Sequence, residues 1–262
     1  MQSRENTSWN KVAKWYQNVP KEATGFHQEL IIPGLKKLLK RHLQPGVAIM
    51  DFACGEGTVT KVLHDAGYVM SGFDLANDLI NYAKDLYKGI NFSKQNATSF
   101  SVDFAKNNFE KYSGVVSILA LQNIADLDKA FANVASLLVN EGIFIFVLNH
   151  PSYRIPKASS WGYNGSHKQF RIVEKYMSEQ KIAIDMHPGR HDSEITYSFH
   201  RPLQTFAKSL LKNNLAIIDV EEWVSTKKSE PGPRAQAENN ARKEIPLFMT
   251  IVAKKLNKNA SI

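Results

Sequence analysis

From residue 47 to 149 the chain alternates two kinds of apolar patterning. Near-continuous apolar runs fall near 47–51, 68–74, 90–93, 114–119 and 143–149, and runs of this length suit strands covered on both faces. Between them, apolar residues recur at helical spacing: Leu79, Tyr82, Ala83 and Leu86, then Leu127, Phe131, Val134 and Leu138, with Asn140-Glu141-Gly142 expected to stop the second helix. Alternating strands and helices predict a parallel sheet with crossover helices. After residue 150 the pattern breaks into about 50 residues of prolines, glycines and aromatics without a period. Regularity returns with a helix near 202–213, a strand in 215–223 and a last strand in 247–255, a closing pair that predicts a hairpin. The irregular stretch is too long and too aromatic for an idle connection. It starts at the carboxyl end of the fifth strand, the edge where open α/β sheets bind ligands, so residues 150–200 read as a cap over a substrate.

The chemistry begins where the first strand ends. Asp51 closes an apolar run, Gly55 and Gly57 turn the chain into an apolar-periodic helix, and 17 residues past Gly57 the second strand ends in Asp74. The glycines let the backbone turn tightly and let a ligand approach the main chain. Asp74 would offer two acceptor oxygens to ribose hydroxyls. A dinucleotide fingerprint would need a third glycine where Thr60 stands, and no Gly-Lys-Ser or Gly-Lys-Thr of a phosphate loop follows. A plain strand-to-helix turn in an unrelated α/β protein is the alternative.

Asp51-Phe52-Ala53-Cys54-Gly55-Glu56-Gly57 resembles motif I of the class I S-adenosylmethionine-dependent methyltransferases, and Asp74 falls where that superfamily places its ribose-binding acid. The resemblance covers most of the chain. It implies an α/β, Rossmann-like, seven-stranded mostly parallel sheet with helices on both faces and a cap insertion after strand 5. It also implies S-adenosylmethionine as cofactor, with the glycine turn beneath the methionine part and the loop after the third strand, Lys94-Gln95-Asn96-Ala97, at the adenine. Asn96 stands where an Asp is usual, and its amide oxygen could still accept from the adenine amino group. Ala53 replaces a frequent Gly, acceptable if that position needs no positive φ. The cofactor set expected from the resemblance is Asp51, Ala53, Cys54, Gly55, Gly57, Asp74, Leu75, Asn96, Ala97, Ala120 and Gln122, with Tyr16 from the N-terminus. Leu119, Ala120 and Gln122 look like the branch acting on small molecules. His200-Arg201-Pro202-Leu203 and Glu221-Glu222-Trp223 look like relatives of the quinone-biosynthesis enzymes, and HPSYRIP with RAQAENNARKEIPLF is similar to a bacterial subgroup. Asn149-His150-Pro151-Ser152-Tyr153 superficially matches the Asn-Pro-Pro-Tyr signature of base-modifying enzymes, but that signature belongs after the fourth strand.

With 262 residues, 43% of them hydrophobic, the chain suits one large domain over 1–262. Residues 1–45 read as N-terminal helices closing over the cofactor, with Trp9, Trp15 and Tyr16 on an amphipathic face that could equally pack in the core. No run of about 18 apolar residues suggests a membrane span, and the first residues lack a signal-peptide core, so a cytoplasmic protein is expected. The single cysteine, Cys54, reads as a small filler at the cofactor floor. A net charge of +8 raises the question of an anionic partner, yet the basic residues are scattered without interleaved aromatics, so nucleic acid is not the expected partner.

Methyl transfer needs alignment and exclusion of water, and a general base when the accepting atom carries a proton. Candidates are His150, Tyr153, His187 and His200, with His150 first because it directly follows the fifth strand. Each histidine could instead bond nearby backbone. His187 and His191 flank Pro188-Gly189 without an acid cluster, so no metal is expected. Arg154, Arg171, Arg201 and Arg234 could hold an anionic substrate group. The expected activity is methyl transfer to a small molecule, and the rivals are an RNA or protein methyltransferase and a non-catalytic binding protein of the same fold.

Overall fold

The computed structural model describes residues 25–186 and 194–257. Five strands follow the expected apolar runs: β1 (Ala48–Phe52), β2 (Val69–Asp74), β3 (Asn91–Lys94), β4 (Tyr112–Ile118) and β5 (Leu138–Asn149). Two short hairpins come next, β6 (Ser159–Asn164) with β7 (Lys168–Val173) and β8 (Gln180–Asp185) with β9 (Ile195–His200). The chain then returns to the main sheet as β10 (Leu215–Trp223) and β11 (Phe248–Lys255). The seven-stranded sheet runs β3-β2-β1-β4-β5-β11-β10. It is parallel from β3 to β5, while β11 lies antiparallel to both β5 and β10.

Seven α-helices accompany these strands among the described residues: α1 (Ile32–His42), α2 (Thr58–Asp65), α3 (Asn77–Leu86), α4 (Val102–Asn108), α5 (Leu127–Leu137), α6 (Leu203–Lys212) and α7 (Ala235–Glu244). β5 shows why the apolar runs are unbroken. Its Phe144, Phe146 and Leu148 enter one core with Phe131 and Phe206, and its Ile143, Ile145 and Val147 enter a second core with Leu35, Leu39 and Trp223. A strand buried on both faces cannot alternate polar and apolar residues. In residues 35–41, where leucines alternate with lysines, Leu35, Leu38 and Leu39 are buried, while Lys37 and Lys40 are exposed. Arg41 ties the end of α1 to β10 through Asp219 at 2.6 Å and Glu221 at 3.0 Å.

Two boundaries depart from expectation. α5 ends at Leu137, and Asn140-Glu141-Gly142 lies inside β5 instead of stopping a helix. There Glu141 takes the positive φ of 63°, whereas Gly142 is needed for space, since a Cβ would come within 2.8 Å of the Val139 carbonyl oxygen. In the 150–200 segment the hairpins enclose a small core of Ile155, Ala158 and Ile182. α7 braces the first hairpin, with Arg234 over the Tyr163 ring at 4.6 Å and the Tyr163 hydroxyl 3.4 Å from Glu238. No helix among the described residues is long and apolar enough to cross a membrane.

Candidate active site

At the carboxyl end of β1 the backbone enters the left-handed region three times within five residues: Ala53 at φ 61°, Gly55 at 56° and Gly57 at 79°. The condition under which alanine would suit position 53, no positive φ, is therefore not met, and Ala53 bears the strain that a glycine would avoid. The two glycines serve different ends. A Cβ on Gly57 would come within 2.8 Å of the Phe92 ring, whereas a Cβ on Gly55 would meet nothing within 4 Å. Gly57 thus seats the turn against β3, and Gly55 leaves the outer side of the turn open. Thr60, notable in the sequence as the missing third glycine, has a role of its own, because its hydroxyl donates to Asp51 Oδ2 at 2.6 Å.

Asp74 closes the turn from the neighbouring strand. Its Oδ2 accepts from the Gly55 N–H at 3.0 Å and its Oδ1 from the Ala76 N–H at 2.8 Å. Each carboxylate oxygen keeps a lone pair beyond these bonds. Burial pushes the Asp74 carboxyl above its usual range, opposed by the backbone N–H groups of Ala76, Gly55 and Leu75. Asp51 lies deeper, at 2% exposure. Burial pushes it up to about 7, the Thr60 hydroxyl pulls it down, and the negative charge of Asp74 pushes it up. Cys54 sits between these acids with its thiol raised well above the ordinary value, first by burial and then by Asp51 and Asp74. That environment keeps the sulfur protonated and unreactive, and it packs where a Cβ on Gly72 would approach it within 3.0 Å.

Two further loops reach the same edge. Asn96 Oδ1 accepts from the Thr98 N–H and the Thr98 hydroxyl, both at 2.9 Å. Those bonds engage the oxygen expected to receive an adenine amino group, and through them Asn96 builds the local turn. Ala97 is buried and its carbonyl accepts from Asn133 Nδ2 at 2.9 Å. After β4, Leu119 adopts φ 53°, its N–H bonds the Val147 carbonyl at 2.9 Å, and its own carbonyl accepts from Gln122 Nε2 at 2.9 Å. Ala120 and Gln122, both half-buried, follow this strained residue. Leu75 is half-buried beside Asp74. Tyr16, Trp9 and Trp15 lie outside the described residues, as do His187 and His191. The described N-terminal portion packs in the core through Ile31, Leu35, Leu38 and Leu39. His27, just before α1, is close enough to the turn for Glu56 to raise its pKa, although burial lowers it more.

His150 is placed as a connector. It is 3% exposed, its Nε2 lies 2.6 Å from Glu222 Oε1, and its Nδ1 accepts from the Ser152 N–H at 3.2 Å. With Nδ1 accepting, the proton belongs on Nε2 facing the carboxylate, and neither nitrogen is left to take a substrate proton. Burial lowers its pKa, against the raising effect of Glu222. Both ring nitrogens of His150 thus already have partners within the chain, an arrangement that favours a connecting role over that of a base. Tyr153 is half-buried with its ring 4.7 Å from that of His150, and its carbonyl accepts from Arg171 Nε at 2.7 Å. His200, 5% exposed, has Nε2 donating to the Tyr176 carbonyl at 2.7 Å, which leaves Nδ1 as its acceptor nitrogen. Glu222 had no local signal as a partner of His150, because their approach depends on β11 lying between β5 and β10.

A family model described as a methyltransferase domain matches residues 24–187. An uncharacterised methyltransferase of Schizosaccharomyces pombe is 27% identical over 104 residues, 37% of either chain. A protein of a Geobacillus strain, also named as a methyltransferase, is 22% identical over 158 residues, 56% of this chain and 60% of its own. The chain thus spans less than two thirds of the length of both curated relatives. Among solved structures, the S-adenosylmethionine dependent methyltransferase from Mesorhizobium loti superposes with a TM-score of 0.64 at 22% identity, covering 83% of this chain and 96% of that one. At that identity the likeness is one of fold.

Proposed function

Because the chain belongs to the methyltransferase domain family, we propose that it binds S-adenosylmethionine across the Gly55–Gly57 turn, Asp74 and the 95–97 loop and methylates a small molecule held under residues 150–200. The observation that carries the cofactor assignment is the pairing of Asp74 with Gly55: the acid at the end of β2 is fixed by the turn's own N–H at 3.0 Å. Its remaining lone pairs are thereby directed by the backbone and suit two neighbouring hydroxyls. The open side of Gly55 admits a ligand against the main chain. Cys54, Leu75, Ala97, Ala120 and Gln122 would complete the walls.

When bound, S-adenosylmethionine supplies a methyl group activated by the sulfonium leaving group. The protein's own contribution is then placement and exclusion of water. Leu119, in its strained conformation, orients the loop at the end of β4 through the Gln122 and Val147 bonds. Where the acceptor must lose a proton, His200 is the base candidate, since its Nε2 bond to Tyr176 presents Nδ1 as an acceptor. Tyr153, stacked on His150, would shape the pocket.

Calorimetric titration with S-adenosylmethionine and S-adenosylhomocysteine tests the reading. Saturable binding is expected for the wild type, weakened about tenfold or more in Asp74→Ala, the scale of lost hydrogen bonds to a charged group. Equal affinity of both proteins would remove the ribose role of Asp74, and no binding by the wild type would remove the cofactor.

A further inference from the structure

Beneath the hairpins, between the loop after β4, the end of β5 and β9, lies a recess bordered by Gln122, Leu148, Arg154, His200, Arg201 and Phe206. Arg201 is 5% exposed. Its Nη2 donates to the carbonyl oxygens of Ile124 and Ala125 at 2.8 and 2.6 Å, while Nη1, equally buried, has no partner among the described residues. Its guanidinium lies 5.4 Å from the Phe199 ring. Glu179 and Asp126 are near enough to favour its charge, outweighed by burial, but neither pairs with it at ion-pair distance among the described residues. Across the recess Arg154 stacks on Trp161 at 5.2 Å, and Arg171 stacks on the same ring at 5.2 Å. Burial and the charge of Arg171 push Arg154 down to about 10. Gln122 is held by its Nε2 bond to Leu119, and its Oε1 is buried without a partner.

Arg154 and Arg201 both border this recess and no Asp or Glu among the described residues borders it with them, and a buried guanidinium without an ion-pair partner is costly. Ordered water could satisfy single donors, but it cannot neutralise the charge. Arg201 and Gln122 both border this recess, and each holds one buried polar atom, a donor on Arg201 and an acceptor on Gln122, with no partner among the described residues. What completes both is a molecule carrying an anionic group and, beside it, an N–H or O–H.

We propose that this recess is the anion subsite of the methyl acceptor: Arg201 Nη1 and Arg154 hold its carboxylate or phosphate, and Gln122 Oε1 accepts from a hydroxyl or amino group on the same molecule. Planar guanidinium forks suit either oxyanion. The assignment to the acceptor rests on the methyl-transfer reading above; the anion site itself rests on these side chains.

The test measures binding of benzoate, phenyl phosphate and the neutral isostere benzamide to the full chain by calorimetry, at constant ionic strength in chloride. Binding of benzoate, phenyl phosphate or both is expected, and which one binds identifies the oxyanion; benzamide should bind about tenfold or more weakly, as loss of a charge-assisted bond implies. Arg201→Lys and Arg154→Gln should each reduce anion affinity about tenfold while leaving S-adenosylhomocysteine affinity within about twofold, with the second variant informative even if the buried first one fails to fold. Equal binding of benzamide and the anions, no binding of either anion, or a folded Arg154→Gln protein with undiminished anion affinity would overturn the site. Arginine-dependent anion binding in a protein that does not bind S-adenosylhomocysteine would keep the site and overturn its assignment to a methyl acceptor.

Discussion

Ala53 and Asp51, two residues apart, carry opposite kinds of cost at the site. Ala53 is held at φ 61°, where a Cβ costs about 1–2 kcal/mol. Glycine would relieve that strain but lose more chain entropy, so Ala53→Gly should stabilise the protein by a net of about 0.5–1 kcal/mol in urea denaturation. Asp51 binds its proton more tightly in the folded chain, with a pKa moved from 3.8 up to about 7 by burial. The folded state therefore holds more protons than the unfolded one between these values, and this acid's contribution falls as pH rises through that window, by up to about 1.4 kcal/mol per pH unit, then levels off. Asp51→Asn, which retains an oxygen for the Thr60 hydroxyl, should remove that decline. Denaturation curves from about pH 5 to about pH 8 would reveal the difference, and an unchanged pH slope would refute the assignment. His150 acts with the opposite sign: burial lowers its pKa from 6.5, so its contribution is full above that value and is lost as pH falls below it.

Among the elements, α1 and β10 meet at one tight contact. Gly34 faces Trp223 so closely that a Cβ would come within 2.5 Å of the indole. Gly34→Ala should destabilise by about 1–3 kcal/mol through overpacking, and pairing it with Trp223→Phe should return part of that loss in a double-mutant cycle. Additive losses would mean that the contact is not the cause. The elements least legible in the sequence are those that bury least. α7 commits only Ala237 and Ala241 to the core, too little for an apolar stripe. β7 carries Phe170, Ile172 and Val173 on exposed surface, so its short apolar alternation marks no core face. The parallel strands were readable for the opposite reason, since burial on both faces demands unbroken apolar runs.

At the scale of the molecule, the hairpins and the glycine turn are separately anchored. Trp161 of the first hairpin carries both Arg154 and Arg171 over its ring, whereas Asp74 and Gly55 depend on β1 and β2. Trp161→Ala should speed amide hydrogen exchange in β6 and β7, with a loss of about 0.5–2 kcal/mol per cation–π contact, and leave S-adenosylhomocysteine affinity unchanged. Coupled loss of both would mean that the hairpins help form the cofactor site. The positive charge is dispersed, with Lys37 and Lys40 on the solvent side of α1 and Arg41 paired with Asp219. Filter retention of tRNA at about 0.15 M salt is accordingly expected to be absent.

The sequence by itself determined the order of the five parallel strands and the two closing strands, the glycine turn and the acid at the end of the second strand, because these follow from local periodicity and from the backbone freedom of glycine. It also singled out His150, His200 and Arg201 as residues near the ligand edge. Only the tertiary structure decided which partners hold them. β11 inserted between β5 and β10 brings Glu222 to His150 and commits that ring, the Thr98 bonds commit the Asn96 oxygen, and the path of β9 buries Arg201 with one donor unpaired. A side chain's chemistry depends on which hydrogen bonds and charges already occupy it, and those partners lie far along the chain, where no sequence period can register them.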